Sequence, residues 1–215
     1  MKIAKGGLSW IIPSFSVTLF FIIMTILISG QIKFIIFFVS MVLLLISFIL
    51  LIFFRDPKRK IGEGIVAAAD GVIREITKEE DEDVGRCTKI STFMNIHNVH
   101  VNRMPVNGVI KDINHYNGTH VPAFKKESER NERVILLMGT DIGTVKIIQI
   151  AGTLARRIVP YVKKGNTIKK GEKIGIIRLG SRVDIYLPAK KIKSINVKVR
   201  DKIKAGEDTI AEMYD

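Results

Sequence analysis

The sequence predicts a mainly β protein: an antiparallel sandwich or barrel-sandwich hybrid domain with duplicated hairpin units, preceded by an N-terminal transmembrane helical hairpin. Three observations predict this fold class. Two long apolar runs occupy the first quarter of the 215 residues. From Ile61 onward, short β-rich runs alternate with Gly, Asn, Asp and Pro. Two short sequence patterns also recur within that second part, so we predict a domain boundary between residues 60 and 61.

The two apolar runs each have about the length of a membrane-spanning helix. Residues 10–28 are apolar apart from one proline and four Ser or Thr residues, and residues 34–54 carry no charge. Since about 20 apolar residues span a bilayer as a helix, we predict two spans rather than two buried core helices. Basic residues precede the first run and follow the second, which predicts that both ends lie in the cytoplasm. Residues 1–60 are thus a predicted cell-membrane anchor, with residues 61–215 on the cytoplasmic side.

The second domain contains two internal echoes. Residues 70–76 resemble residues 107–113, and residues 168–172 resemble residues 203–207. Repeated patterns of this kind predict duplicated supersecondary units, here hairpins wrapped into one sandwich. The second echo also has the turn-and-strand rhythm of lipoyl and biotinyl domains. Those domains need a Met-Lys signature on a hairpin tip, and the one Met-Lys pair here is at the N-terminus.

The net charge of +13 is shared by both parts, with +6 in residues 1–60 and +7 in residues 61–215. A basic surface suits nucleic acid, but a chain tethered to a membrane meets anionic lipid headgroups first. We therefore predict the membrane as partner, and no nucleic acid. The charged run at residues 78–83 is expected to be a solvated hairpin tip. Cys87 is the single cysteine, so the chain has no internal disulfide.

The pair Gly180-Ser181 is the most informative feature of the chain. A serine hydroxyl directly after a glycine can attack the preceding carbonyl, because glycine has no Cβ to block the approach. Most Gly-Ser pairs are ordinary turns, so the surrounding motifs carry the weight. These motifs are Phe54-Arg55-Asp56-Pro57, Ala69-Asp70-Gly71, Asn98-Val99-His100-Val101-Asn102-Arg103, Ser128-Glu129-Arg130-Asn131-Glu132-Arg133, and Gln149-Ile150-Ala151-Gly152 followed by Ala155-Arg156-Arg157. From Phe54 onward the chain closely resembles the short-form phosphatidylserine decarboxylase proenzymes of bacteria and archaea.

The resemblance implies a self-processing enzyme. Ser181 would attack the Gly180 carbonyl, and the following steps would leave a pyruvoyl group at the start of the second fragment. The mature protein would be a heterodimer of a β chain, residues 1–180, and an α chain, residues 181–215. Its pyruvoyl cofactor would decarboxylate phosphatidylserine, or archaetidylserine in archaeal members, to the corresponding ethanolamine phospholipid with release of CO2.

The resemblance also points to Asp70 and His100 as catalytic partners of Ser181. A hydroxyl nucleophile needs a base within hydrogen-bond reach, and these two residues occupy the aspartate and histidine positions of the family. Each has a structural alternative: Asp70 begins a turn before Gly71, and His100 packs in the core. Longer relatives have a second histidine where this chain has Arg103, and an arginine stays protonated and cannot be a general base.

Three arginines are the candidate substrate-binding residues. Arg103 has the fork geometry that holds a carboxylate or phosphate through two hydrogen bonds. Arg156 and Arg157 are candidates for the phosphodiester of a lipid headgroup, with salt bridges to Glu129 and Glu132 as the alternative. We predict no metal site, because histidines three residues apart in the His100 motif have no third ligand evident from sequence.

Two other function classes remain open at this point. A membrane-tethered, lipoyl-like hybrid module acting as a non-enzymatic adaptor would keep the fold and the anchor and would have no use for Ser181. A membrane-bound metallopeptidase of similar sandwich type would need a His-x-His pair, which the sequence lacks. The mass of the purified chain distinguishes the adaptor, which stays one polypeptide, from the self-processing enzyme.

Overall fold

The computed structural model describes residues 2–119, 121, 130–152, 157–178 and 181–214. The chain divides into two compact units, the first ending at Lys58 and the second beginning at Arg59. The first unit holds two long helices, and the second holds the large sheet and the candidate site.

The first unit is a helical hairpin. Its elements are β1 (Lys2–Ile3), α1 (Leu8–Leu27), α2 (Ile32–Phe53) and β2 (Arg55–Asp56), and the two short strands pair antiparallel. Where the helices meet, the hydroxyl oxygens of Ser14 and Thr18 lie 2.6 and 3.0 Å from that of Ser47. Such hydroxyl contacts join helices in an apolar environment. Both helices are long and apolar enough to cross a membrane, which confirms the predicted hairpin and suggests membrane association.

The second unit is built around a large antiparallel sheet. Its eight strands, within the described part of the chain, are β4 (Gly71–Asp81), β5 (Gly85–Met94), β7 (Gly108–Tyr116), β8 (Arg133–Thr140), β9 (Gly143–Ala151), β11 (Thr167–Ile168), β13 (Ser181–Pro188) and β15 (Lys202–Ile203). They lie in the order β11-β7-β8-β9-β13-β5-β4-β15. The sheet curls into a half-barrel, so the predicted mainly β fold class is confirmed.

Two smaller sheets complete the second unit. One contains β6 (Val101–Arg103), β10 (Ile158–Pro160) and β12 (Lys173–Ile177); the other contains β3 (Ile65–Val66), β14 (Ile192–Ile195) and β16 (Thr209–Met213). A 3-10 helix, Ala189–Lys191, leads from β13 to β14. Apolar side chains from all three sheets, among them Ile90, Ile174 and Ile210, are buried in one hydrophobic core. This burial supplies the main driving force for folding.

The two sequence echoes occupy equivalent places near opposite edges of the large sheet. The edge strand β11 pairs with the start of β7, where Ile168 lies opposite Gly108. The edge strand β15 pairs with the start of β4, where Ile203 lies opposite Gly71. The duplicated hairpin units predicted from the sequence are therefore a feature of the fold.

A glycine turn follows each edge strand in the same way. Gly171 and Gly206 have φ angles of 81° and 78°, a left-handed conformation that side-chain-bearing residues rarely adopt. Their N–H groups donate to the carbonyls of Met104 and Ala67 at 2.8 and 2.9 Å. The equivalent turns bring each edge strand back onto the chain just before the strand with which it pairs.

The acidic run is less solvated than the sequence indicates. Strand β4 extends to Asp81, so most of the run lies in a strand rather than in the hairpin tip. The carboxylates of Asp81 and Asp83 lie 2.7 and 2.8 Å from the ammonium of Lys146 on β9. The alternation of side chains on β9 turns Lys146 toward the face of the sheet on which these carboxylates lie.

Candidate active site

Ser181 is the first residue of the central strand β13. It lies between Ala151, the last residue of β9, and Met94, the last residue of β5. The residue is wholly buried, and its hydroxyl donates to the Met94 Sδ at 3.2 Å. Gly180, the other half of the predicted cleavage pair, lies outside the described residues. The candidate nucleophile is thus held at one end of the large sheet, called the Ser181 end below.

Asp70 lies at the same end of the sheet. It directly precedes β4, whose Val72 faces Phe93 of β5, and Phe93 in turn faces Arg182. Because these strands are antiparallel, the start of β4 and the start of β13 lie on either side of the end of β5. Asp70 is buried, and its Oδ1 accepts the N–H of Ala205 at 2.8 Å.

The electrostatic environment of Asp70 contains opposing influences. Burial raises the pKa of this carboxyl above its ordinary value, because it disfavours the charged form. Hydrogen bonds from the backbone of Ala205 and Val99, together with the guanidinium of Arg59, act in the opposite direction and lower it. The net direction is upward. The contact with Val99 matters for the site, because Val99 is the residue before His100.

His100 is fully buried, and its ring is oriented by its own loop. Its Nδ1 lies 2.9 Å from the carbonyl oxygen of Asn98, so in the neutral ring Nδ1 carries the proton and donates it. The lone pair is then on Nε2, which is a buried atom. The His100 carbonyl accepts the N–H of Ile177 at 3.3 Å, which places this loop beside the end of β12, four residues before Ser181.

Three buried amide side chains near Ser181 were not singled out by the sequence analysis. The Asn102 amide donates to Met94 Sδ at 3.7 Å and accepts a 2.6 Å hydrogen bond from Gln149. Asn131 donates to the carbonyl of Ala151, the β9 neighbour of Ser181, at 2.7 Å. All three amides lie within the quoted motifs. Uncharged amides in a polar motif are a signal that was available, but their burial became apparent only in the fold.

Arg103 contacts a different part of the unit. Its Nη1 donates to the carbonyl of Gly171 at 3.0 Å, and its side chain is buried. It lines a pocket of about 530 Å³ together with Tyr161 and Lys170, and Asp70, His100 and Ser181 are not among the described residues of that lining. The catalytic candidates and Arg103 are therefore not brought into one pocket, and the assignment of Arg103 to substrate binding stays a prediction.

A second pair of cations lies close to the cleavage point in the chain. Arg157 is exposed, and its carbonyl accepts the N–H of Arg178 at 3.3 Å, whereas Arg156 lies outside the described residues. Burial and the neighbouring Arg157 both lower the pKa of Arg178. Arg178 is three residues before Ser181, and the sequence analysis did not select it. Its position in the run that contains Ser181 was the available signal.

The described residues offer no obvious metal centre. Within residues 2–119, 121, 130–152, 157–178 and 181–214, no group of three or more His, Cys, Asp or Glu side chains is arranged to hold a metal ion. The prediction of no metal site remains a prediction. One described histidine, His115, instead pairs with Glu132 at 2.9 Å.

Comparison with known proteins agrees with this fold and arrangement. Residues 47–211 match the family model described as phosphatidylserine decarboxylase. A putative archaetidylserine decarboxylase proenzyme of Methanococcoides burtonii is 40% identical over 98% of this chain and 96% of its own length. Another of that name from Methanosarcina mazei is 39% identical over 97% of this chain and 96% of its own length. A phosphatidylserine decarboxylase proenzyme of Streptomyces avermitilis is 49% identical over 72% of this chain and 69% of its own length.

These findings define the class first: the chain is a decarboxylase, a carboxy-lyase. It belongs to the phosphatidylserine decarboxylase family. The family resemblance identified from the sequence motifs is therefore confirmed.

Proposed function

We propose that this chain is a proenzyme that cleaves itself between Gly180 and Ser181 and then decarboxylates a serine-headed phospholipid to the ethanolamine lipid. One observation carries the proposal. The buried hydroxyl of Ser181, at the start of β13, lies at the sheet end where the segments of Asp70 and His100 also meet. The names of the relatives, proenzymes that act on phosphatidylserine or archaetidylserine, support the same reaction.

Self-cleavage begins with the hydroxyl of Ser181. Its Oγ attacks the Gly180 carbonyl carbon, and the peptide C–N bond breaks as an ester forms. The hydroxyl proton is transferred to the amide nitrogen, with His100 Nε2 as the base that relays it. Elimination then releases the Gly180 carboxylate and leaves a dehydroalanine at residue 181. Its hydrolysis consumes one water, releases ammonia and leaves a pyruvoyl group.

The residues around Ser181 suit such a group. Residue 181 is fully buried between β9 and β5, so a ketoacid derived from it would be shielded from bulk water. The amides of Asn102 and Asn131 lie against Met94 and Ala151, its two strand neighbours. A pyruvoyl group supplies an electron-withdrawing carbonyl to an amine substrate as CO2 leaves the adjacent carbon.

The chain's own residues then bind the substrate and move protons. Arg157 and Arg178 are two cations near the cleavage point, suited to the phosphodiester or carboxylate of the headgroup, and Arg156 precedes them in sequence. His100 delivers a proton to the carbon from which CO2 has left. Asp70, in contact with the backbone beside His100, supplies negative charge that stabilises a protonated imidazole.

After cleavage the two fragments would remain together as a heterodimer. Strand β13 begins at the new N-terminus of the α chain, yet it pairs along its length with β5 and β9 of the β chain. The α chain also contributes β15, which pairs with β4. Breaking one peptide bond leaves all of these strand pairings in place, so the α chain stays an integral part of the sheet.

The anchor would hold this domain at its substrate. The two apolar helices place the lipid and the catalytic unit on one surface, which raises the effective concentration of a substrate that stays in the membrane. The distribution of Lys and Arg around the helices favours the cytoplasmic side.

Mass spectrometry of the purified full-length protein tests the proposal. We expect two polypeptides, residues 1–180 and a 35-residue fragment 181–215 whose N-terminus resists Edman degradation because a ketone has replaced its amine. Ser181→Ala should remain one chain without decarboxylase activity. Ser194→Ala, which changes an exposed serine hydrogen-bonded to Asn196, is the matched control and should mature normally. A single intact chain in the wild type would favour the adaptor function instead.

A further inference from the structure

Arg59 makes the closest charged contact with Asp70. Its Nη2 lies 3.0 and 2.8 Å from the two carboxylate oxygens of Asp70, and the side chains are only 6% and 9% exposed. Its Nη1 lies 3.4 Å from a carboxylate oxygen of Glu207. A guanidinium that contacts two oxygens of a buried carboxylate fixes both the position and the orientation of that group. In the sequence, Arg59 is one of several basic residues after the second span, and that position alone explained its charge.

The internal duplication separates the structural task of Asp70 from its charge. Asp70 Oδ1 accepts the backbone N–H of Ala205 at 2.8 Å. At the equivalent place in the other unit, Asn107 Oδ1 accepts the backbone N–H of Lys170, also at 2.8 Å. An uncharged amide therefore caps this turn as well as a carboxylate does. The turn needs an acceptor oxygen, and neither a negative charge nor an arginine beside it is required.

The charge of Asp70 faces a small number of ionisable groups. These are Arg59 in direct contact, Glu207 through Arg59, and Lys204, whose ammonium lies 3.7 Å from Glu207. On the side of the catalytic loop, Asp70 contacts the backbone of Val99 beside His100. Burial raises the pKa of Asp70 and Arg59 opposes that rise, so loss of Arg59 would favour the neutral acid.

We propose that Arg59 is a positioning residue for the reaction: it holds the Asp70 carboxylate beside the His100 loop and thereby sets the pH range in which Ser181 cleaves the chain. The inference rests on the proposed self-cleavage. Arg59 does not act on the scissile bond; it acts through Asp70. This gives a specific functional reason for an arginine directly after the anchor.

The test follows self-cleavage of the full-length chain as a function of pH. Wild type, Arg59→Gln, Arg59→Lys and Lys60→Gln are made by cell-free synthesis with detergent micelles, transferred to buffers from pH 5 to pH 10, and resolved on denaturing gels over time. We expect Arg59→Gln to shift the acidic limb of the rate profile upward by about one pH unit or more, a tenfold loss below that limb for each unit. Arg59→Lys should restore part of the shift, because it keeps the charge without the two-oxygen contact. Lys60→Gln removes an exposed neighbouring charge and should match wild type.

Two outcomes would overturn the inference. One is an Arg59→Gln profile that superimposes on the wild type; the other is a loss of cleavage that is equal at every pH and unaffected by lysine. If Arg59→Gln does not fold, as judged by thermal melting, Arg59→Lys decides alone, and an unshifted profile refutes the role. Asp70→Asn should fold, as Asn107 indicates, and should cleave poorly at every pH. A wild type that never cleaves refutes the proposed function itself, whereas cleavage without a shift refutes only the role of Arg59.

Discussion

The hydrogen bond from His100 to the carbonyl of Asn98 determines which ring nitrogen is available for proton transfer. With Nδ1 engaged, Nε2 is the basic atom, and His100→Ala removes it. We expect self-cleavage and CO2 release to slow by about 10²–10⁴-fold, the usual contribution of a general acid or base. Time courses of both reactions measure the effect. His115→Ala, which removes a partly exposed histidine bound to Glu132, is the control and should behave as wild type. Normal maturation and turnover of His100→Ala would contradict the assignment.

Arg103→Ala provides a contrasting variant in the same motif. The guanidinium donates to Gly171 and lines a separate pocket, and a fixed cation cannot accept a proton. We therefore expect cleavage to stay largely intact while the KM for lipid rises. The same time courses, with lipid concentration varied, separate the two effects. Loss of cleavage in Arg103→Ala, with His100→Ala unaffected, would reverse the roles of the two residues.

The sequence contained the identities of the candidate residues but not their contacts. Ser181, His100 and Asp70 were selected because they stand in motifs, and the structure locates their segments at one end of the sheet. The partner of Asp70 could not be selected in that way, because lysines and arginines after a span are already explained by membrane topology. Only the fold shows that Arg59 turns inward while Lys58 and Lys60 are exposed.

Strand β13 has two buried faces of opposite character. Val183 and Ile185 pack into the apolar core, whereas Arg182 and Asp184 form an ion pair of 2.8 Å on the other face. Burial raises the pKa of Asp184, and Arg182 opposes this only in part. A strand buried on both faces tolerates such a pair only because the partners neutralise each other. The pair therefore makes the stability of the central strand depend on pH.

The expected sign follows from the direction of that shift. A carboxyl group whose pKa is higher in the folded state stabilises the fold fully below its unfolded pKa, and this contribution is lost as the pH rises through the folded pKa. Asp184→Asn cannot titrate. In a Ser181→Ala background, which keeps the chain whole, the stability advantage of the native aspartate over the asparagine variant should therefore shrink as pH rises from about 4, by about 1.4 kcal/mol for each unit of pKa shift. Thermal melting in detergent across this pH range measures it. Parallel curves for the two proteins would disprove the coupling.

Element types were more predictable than their pairing. Helices α1 and α2 follow from apolar length, and the strands follow from short β-rich runs between Gly, Asn and Asp. The echoes even predicted duplicated units, because each copy repeats its own local pattern. The place of β13 between β5 and β9 was not predictable, since those partners are distant in sequence and strand pairing is decided by the packing of the whole core. The charged second face of the sheet was missed for the same reason.

The anchor and the catalytic unit have separable tasks. The proposed nucleophile, base and carboxylate, and also Arg59, all belong to the unit that begins at Arg59. Deleting residues 1–54 should therefore release the protein from membranes without abolishing self-cleavage. Residual, salt-sensitive binding to anionic vesicles should remain, because the basic residues after the second helix are retained and each contributes about 1 kcal/mol near such a surface.

Vesicle flotation and denaturing gels on the same preparations check both halves of this expectation. The full-length chain should float with vesicles at any salt concentration, whereas the truncated chain should float only at low salt and only with anionic lipid. Both should contain the 35-residue fragment. Activity of the truncated chain should fall more on vesicles than on dispersed short-chain lipid, because only the vesicle substrate depends on tethering. A truncated chain that folds but stays uncleaved would show instead that residues 1–54 take part in maturation, and the separation of tasks would be wrong.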